Sequence, residues 1–222
     1  DAVTGGCLTE TEEIIIDYSP TPLVGLTSSA IANTFCSDDN ILFTANSNIP
    51  NSTYDFYVDG FRVFGPSTTS TFTAVAGTVE DLDDVTVIIT SPAGCSATAS
   101  LTMFENEITS VGTITTISPT ICSGDVSSRL VGTAASASGS ITYEWMNSAD
   151  NVTYTVITGT NSVSYDPGTL TNTTFFKRKT ISTLNGIVCE DLSTAIRIDV
   201  TATPSATITA NPGGITGTNT LT

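Results

Sequence analysis

The chain contains no histidine and only six basic residues against 22 acidic ones, which gives a formal net charge of −16 at pH 7. Without histidine it lacks the side chain that most often acts as a general base near neutral pH. Its serines and threonines stand in strand-like and turn-like contexts that offer no activating partner. The sequence is therefore read as a non-enzyme. A shortage of lysine and arginine excludes DNA, RNA and an anionic membrane face as partners, since phosphate neutralisation needs clustered cations. The one basic run, Lys177-Arg178-Lys179, is too small to reverse this and reads as the solvated face of a strand. Apolar runs stop at three or four residues, so no direct membrane insertion is expected. No Cys-x-x-Cys pair occurs either, and without histidine a zinc site has no ligand set.

What the chain does have is repetition. Cys36 and Cys95 recur as Cys122 and Cys189, and Tyr54-Asp55-Phe56 recurs as Tyr143-Glu144-Trp145, a domain-sized period of roughly 90 residues. Cys7 and the run after it align with Cys189 and its sequel, so that Ile14, Ile16 and Asp17 fall on Ile196, Ile198 and Asp199. Ile215 stands where a further copy would carry its first cysteine. The expected organisation is a last strand of a preceding copy (1–18), two whole copies (19–106 and 107–203) and the start of a following copy (204–222). The chain is thus read as a window of a longer tandem array. Neighbouring repeats of the same chain are its first expected partners.

Within each copy, short segments alternate apolar residues with Thr, Ser or charge, the period of a strand with one buried face. In the first copy they are 23–31, 41–45, 53–58, 61–64, 70–75, 85–90 and 97–104. In the second they are 113–117, 129–133, 141–146, 153–157, 162–165, 174–182 and 194–201. Asp59-Gly60 and Asn185-Gly186 are two-residue hairpin signals. Seven short strands per copy, punctuated by Gly, Pro, Asn and Asp, predict an all-β fold of tandem immunoglobulin-like antiparallel β-sandwich repeats. Trp145 in the third strand, and Phe56 in the equivalent place, are expected in the cores.

Five cysteines, four of them at repeat-locked positions, predict disulfides and an oxidising compartment. Two pairings are open. Each copy bridges itself (Cys36 with Cys95, Cys122 with Cys189), which closes loops of about 60 residues and stabilises each by roughly 3–4 kcal/mol. Alternatively Cys36 pairs with Cys189. The first is expected because each copy carries a full pair. It requires the first strand to cross or stop early, since in a plain seven-strand sandwich the two cysteines sit about one strand length apart, ~17–20 Å, beyond the ~7 Å a disulfide allows.

No cofactor is called for, and calcium is the candidate ion. The carboxylates of Glu80, Asp81, Asp83 and Asp84 are hard ligands of the right kind, although they lack the EF-hand spacing. The plainer reading is a solvated acidic loop. Asn51, Asn151 and Asn172 open Asn-x-Ser/Thr triplets, which mark surface loops and candidate glycosylation positions.

The run PTICSGD at 119–125, the stretch ITYEWMNSADNVTYTVITGTNSVSYDPGTLTNTTFFKRKTISTLNG that follows it at 141–186, and the closing Cys189 with Arg197-Ile198-Asp199-Val200 resemble the Ig-like/PKD-like tandem repeats of giant Bacteroidota surface adhesins. These include the SprB-like gliding-motility adhesins exported by type IX secretion. The resemblance implies a structural and adhesive segment of an extracellular filament on a bacterial cell surface. Surface glycans or other surface proteins would be its further partners. A carbohydrate- or protein-binding module, or a spacer in a secreted hydrolase, are the alternatives.

Overall fold

The computed structural model of the chain describes residues 19–204; the expected preceding strand at 1–18, with Cys7, and the expected following copy beyond residue 204 lie outside the described residues. The chain divides into two compact units. The first runs to Glu107 and also takes in Thr183–Val188, while the second comprises Ile108–Ser182 and the chain from Cys189 onward.

In the first unit the strands are β1 (Val24–Ser28), β2 (Thr34–Phe35), β3 (Ile41–Ser47), β4 (Thr53–Val58), β5 (Phe61–Ser67), β6 (Thr71–Ala74), β7 (Asp84–Thr90), β8 (Ser96–Thr102) and β9 (Phe104–Glu105). One sheet has the order β1-β3-β6 and the other β5-β4-β7-β8. Alternation does the sorting: Ile41, Phe43 and Ala45 of β3 and Val85, Val87 and Ile89 of β7 are buried, and the residues between them face outward or lie at the margin. Phe56 is fully buried and packs 5.7 Å from Phe72 and 6.1 Å from Phe64, ring centre to ring centre. Asp59 (φ 48°) and Gly60 (φ 79°) are both left-handed, as a type I′ hairpin between β4 and β5 requires.

The leading strand changes sheets. β1 lies antiparallel to β3, the chain then makes a single 3-10 turn at Ile31–Asn33, and β2 runs parallel to β9. Among the described residues there is no α-helix, and no helix is long and apolar enough to cross a membrane.

The second unit repeats this plan with β10 (Ile114–Thr115), β11 (Thr120–Cys122), β12 (Val131–Gly132), β13 (Ser140–Ser148), β14 (Thr155–Ile157), β15 (Thr174–Leu184), β16 (Ile187–Leu192) and β17 (Ile196–Thr201). Its main sheet has the order β11-β17-β15-β13-β14, with β16 also on β15, and β10 pairs β12. Here too the leading segment switches, β11 lying parallel to β17. The core is small: Leu130, Trp145, Phe176 and Ile198.

Two strand expectations are corrected. Residues 162–165 form no strand, and only Tyr165 bridges to Leu130. The expected last strand at 194–201 is present as β17, but an additional strand, β16, precedes it, and between the two Ser193 accepts the Arg178 N–H through its hydroxyl at 2.9 Å in place of a ladder carbonyl. Both units are immunoglobulin-like sandwiches, and the chain is an all-β tandem.

Candidate functional site

The cysteines depart from the expected pairing. Cys95 and Cys122 are free thiols, whereas Cys36 and Cys189 are disulfide-bonded. Each self-bridged pair needed one of the two free thiols, so that scheme is overturned. The reason is the strand that closes each sandwich. Cys36 follows β2, whose Phe35 is level with Glu105 at the end of β9, while Cys95 precedes β8. About ten strand residues at ~3.3 Å each separate the two levels, on the order of 30 Å. Cys122 is likewise level with Thr201, at the far end of β16 and β17 from Cys189. The sheet switch required by the expected pairing does occur, yet it carries the early cysteine away from its companion.

Around Cys36 the first unit includes the hairpin tip Thr183–Val188. Asn185 and Gly186, with φ values of 49° and 84°, make the type I′ turn of that hairpin. The Asn185 amide donates to Thr34 Oγ1 at 3.0 Å, and the Asn106 amide donates to the Ile187 carbonyl at 3.0 Å. Thr34 and Asn106 are each 1% exposed. Cys36 Sγ lies 3.7 Å from the carbonyl oxygen of Val188, the residue before Cys189. Sequence reading found the Asn-Gly turn but not the seat that Thr34 and Asn106 make for it. A polar pair hidden under a distant hairpin leaves no periodic trace.

The basic run is also corrected. Arg178 is fully buried. Its Nη1 donates to the Val163 carbonyl at 2.7 Å, and its Nη2 to the carbonyls of Val111 at 2.6 Å and Thr133 at 2.8 Å. The guanidinium lies 4.5 Å from the Tyr143 ring centre, a cation–π contact. Glycine makes room for it: a Cβ on Gly132 would strike the Val163 carbonyl and Nη1, and one on Gly112 (φ 70°) would come within 2.5 Å of the Thr133 carbonyl. Burial pushes the Arg178 pKa down, and the charge Tyr143 takes on ionisation opposes that. The strand period does carry a signal, since Arg178 shares a face with the buried Phe176 and Thr180, while Lys177 and Lys179 face the other way. Lys179 pairs with Glu190 at 3.0 Å and Glu144 at 3.4 Å. Arg178 is a structural tie of three loops and has no open side for a ligand.

Trp145 is fully buried, stacks 5.5 Å from Tyr165, and donates its indole N–H to the Ser162 carbonyl at 2.9 Å. The acidic loop does not converge on a point. Asp83 accepts from the Glu80 N–H at 2.8 Å, Asp81 from the Glu105 N–H at 3.1 Å, and Asp84 from the Thr102 hydroxyl at 2.6 Å. Burial raises the Asp83 pKa, with Asp59 adding to the rise. Among the described residues no three acidic, cysteine or histidine side chains form a metal-holding group.

Asn51, Asn151 and Asn172 all lie on exposed turns. The turn at Asn151 is organised by Asp150, whose carboxylate accepts from the Thr153 and Val152 N–H groups and the Ser148 hydroxyl. Those bonds hold its pKa at about 2, the Thr153 N–H contributing most. Because the folded pKa lies below the ordinary carboxylate value, the turn's stabilisation is complete above pH ~4 and is lost as pH falls through about 2. An NMR pH titration should show the Val152 and Thr153 amides shifting with that low midpoint, and a midpoint near the usual carboxylate value would contradict the cap.

Residues 110–202 match the model of a family described as a domain of unknown function, DUF8696. No curated protein sequence matches the chain. Among solved structures, the chain is similar to the three N-terminal domains of the bacteriophage RB49 highly immunogenic outer capsid protein, at 14% identity and a TM-score of 0.51, over 82% of this chain and 71% of that one. It is also similar to fibronectin(III)-like modules of Clostridium thermocellum CbhA, at 12% identity and a TM-score of 0.40 over 80% and 95% of the two chains. Murine CEACAM1b gives 14% identity and a TM-score of 0.39 over 80% and 100%. At such identities the likeness is one of fold.

Proposed function

We propose that the chain is a structural segment of a long extracellular adhesin filament on a bacterial cell surface, serving gliding motility as the SprB-like, type IX secreted adhesins do, and that its work is to carry tension and hold distance. The observation that carries this reading is the state of the cysteines: those left free are the in-copy companions of those that are bonded. The pairing this reading calls for is Cys36 with Cys189, both of which are disulfide-bonded while Cys95 and Cys122 are free. A cross-link reaching from one copy into the next suits a string that must not lengthen under load. Immunoglobulin-like ladders and a buried arginine tie suit the same task.

A carrier of this kind has no need for a recognition face of its own. Glycan arrays and cell-surface binding with the chain should therefore show no saturable binding. Saturable binding to one glycan or protein class would replace the carrier reading with a recognition module that acts through loops at one pole of a sandwich.

A further inference from the structure

The second unit carries, exposed, the same seat that the first unit carries covered. Cys36 opens a turn in which its N–H donates to Asp39 Oδ2 at 2.9 Å and its carbonyl accepts from the Asp39 N–H at 2.9 Å. Cys122 opens the same turn, with the Asp125 carboxylate at 3.3 Å and the Asp125 N–H at 3.1 Å. Strand register makes the rest equivalent. With Cys122 placed on Cys36, Thr120 falls on Thr34, and the strand partner Thr201 falls on Asn106, which follows Glu105.

The two seats differ in what covers them. Thr34 and Asn106 are 1% exposed beneath a hairpin tip that hydrogen-bonds to both, and Cys36 is disulfide-bonded. Thr120 and Thr201 are exposed, and Cys122 is a half-buried free thiol. Thr120 keeps the hydroxyl that accepts the hairpin's asparagine, and the Thr201 hydroxyl, which now donates to the Ile121 carbonyl at 3.2 Å, would turn to donate where Asn106 uses its amide.

We propose that this face of the second unit is the docking site for the Asn-Gly hairpin of a further copy of the same repeat, and that Cys122 forms a disulfide with that copy's counterpart of Cys189. The inference rests on the reading of the chain as part of a head-to-tail array. The step joins two thiols into one disulfide with loss of two protons and two electrons. The electrons go to a disulfide oxidant such as oxidised glutathione, which is reduced to two thiols.

The test is a chain in which residues 107–203 are placed once more directly after Thr201, keeping the spacing that separates Asn106 from the second unit. It is refolded in a glutathione redox buffer, alkylated without reduction and mapped by mass spectrometry beside the parent chain. In the parent, Cys95 and Cys122 take the alkyl group. In the extended chain, alkylation of Cys122 should be lost and its peptide recovered joined to the added copy's counterpart of Cys189. Changing that added cysteine to serine should restore the alkylation. Cys122 still alkylated while both copies of Trp145 are buried by fluorescence would overturn the docking proposal and leave the array reading standing. An added copy that stays unfolded while the first two units fold would remove the array reading, and this proposal with it.

Discussion

Replacing Arg178 with methionine is expected to destabilise the second unit by about 3–5 kcal/mol. Removing a buried cation relieves its desolvation, and exchanging a buried ion pair for apolar groups is often neutral or better. Here, however, the partners are the main-chain carbonyls of Val111, Thr133 and Val163, which no side-chain change can remove. Each one stranded without a donor costs about 1–3 kcal/mol, so the loss outweighs the relief. Lysine should fall between, because one ammonium on a flexible stem cannot bridge three carbonyls as a planar fork does. Trp145 is the chain's one tryptophan and lies in the second unit, so urea unfolding followed by its emission reads that unit alone. Parent-like midpoints for both variants would show that Arg178 does not tie the loops.

Trp145→Ala should cost about 3–5 kcal/mol, the range for a large aromatic removed from a core that cannot collapse. The second unit's core is small, and Trp145 is its largest fully buried side chain. Tyr165 would lose its stacking partner and the Ser162 carbonyl its donor. A phenylalanine in that place keeps most of the apolar contact and should lose only about 1–2 kcal/mol, the hydrogen bond and the missing ring volume. Circular dichroism melts of the three proteins check the order. A parent-like melt for the alanine variant would mean that the third strand is not the centre of this core.

Much of the fold could be read from alternation alone. In β7 and β15 every second residue is buried, and Asp59-Gly60 and Asn185-Gly186 close the hairpins that they predict. Arg178 is illegible to residue type and legible only to position: its neighbours in sequence are charged, while its neighbours on the same face of the pleat are Phe176 and Thr180. Residues 162–165 alternate well enough for a strand, but Ser162 and Val163 spend their carbonyls on Trp145 and Arg178 instead of on a ladder. The cysteine pairing is not legible in the sequence for a topological reason. Which end of the last strand the first one joins depends on the parallel pairings of β2 and β11, and nothing local in the sequence encodes them.

Pulling single molecules from their two ends, oxidised and then reduced, tests the load-carrying account most directly. The proposed pairing of Cys36 with Cys189 would put roughly 150 residues behind the bridge and keep them out of the extended chain. Reduction should therefore add on the order of 500 Å of contour length at about 3.4 Å per residue. A gain of about 200 Å, the length released by opening a loop of roughly 60 residues, or no gain at all, would contradict it.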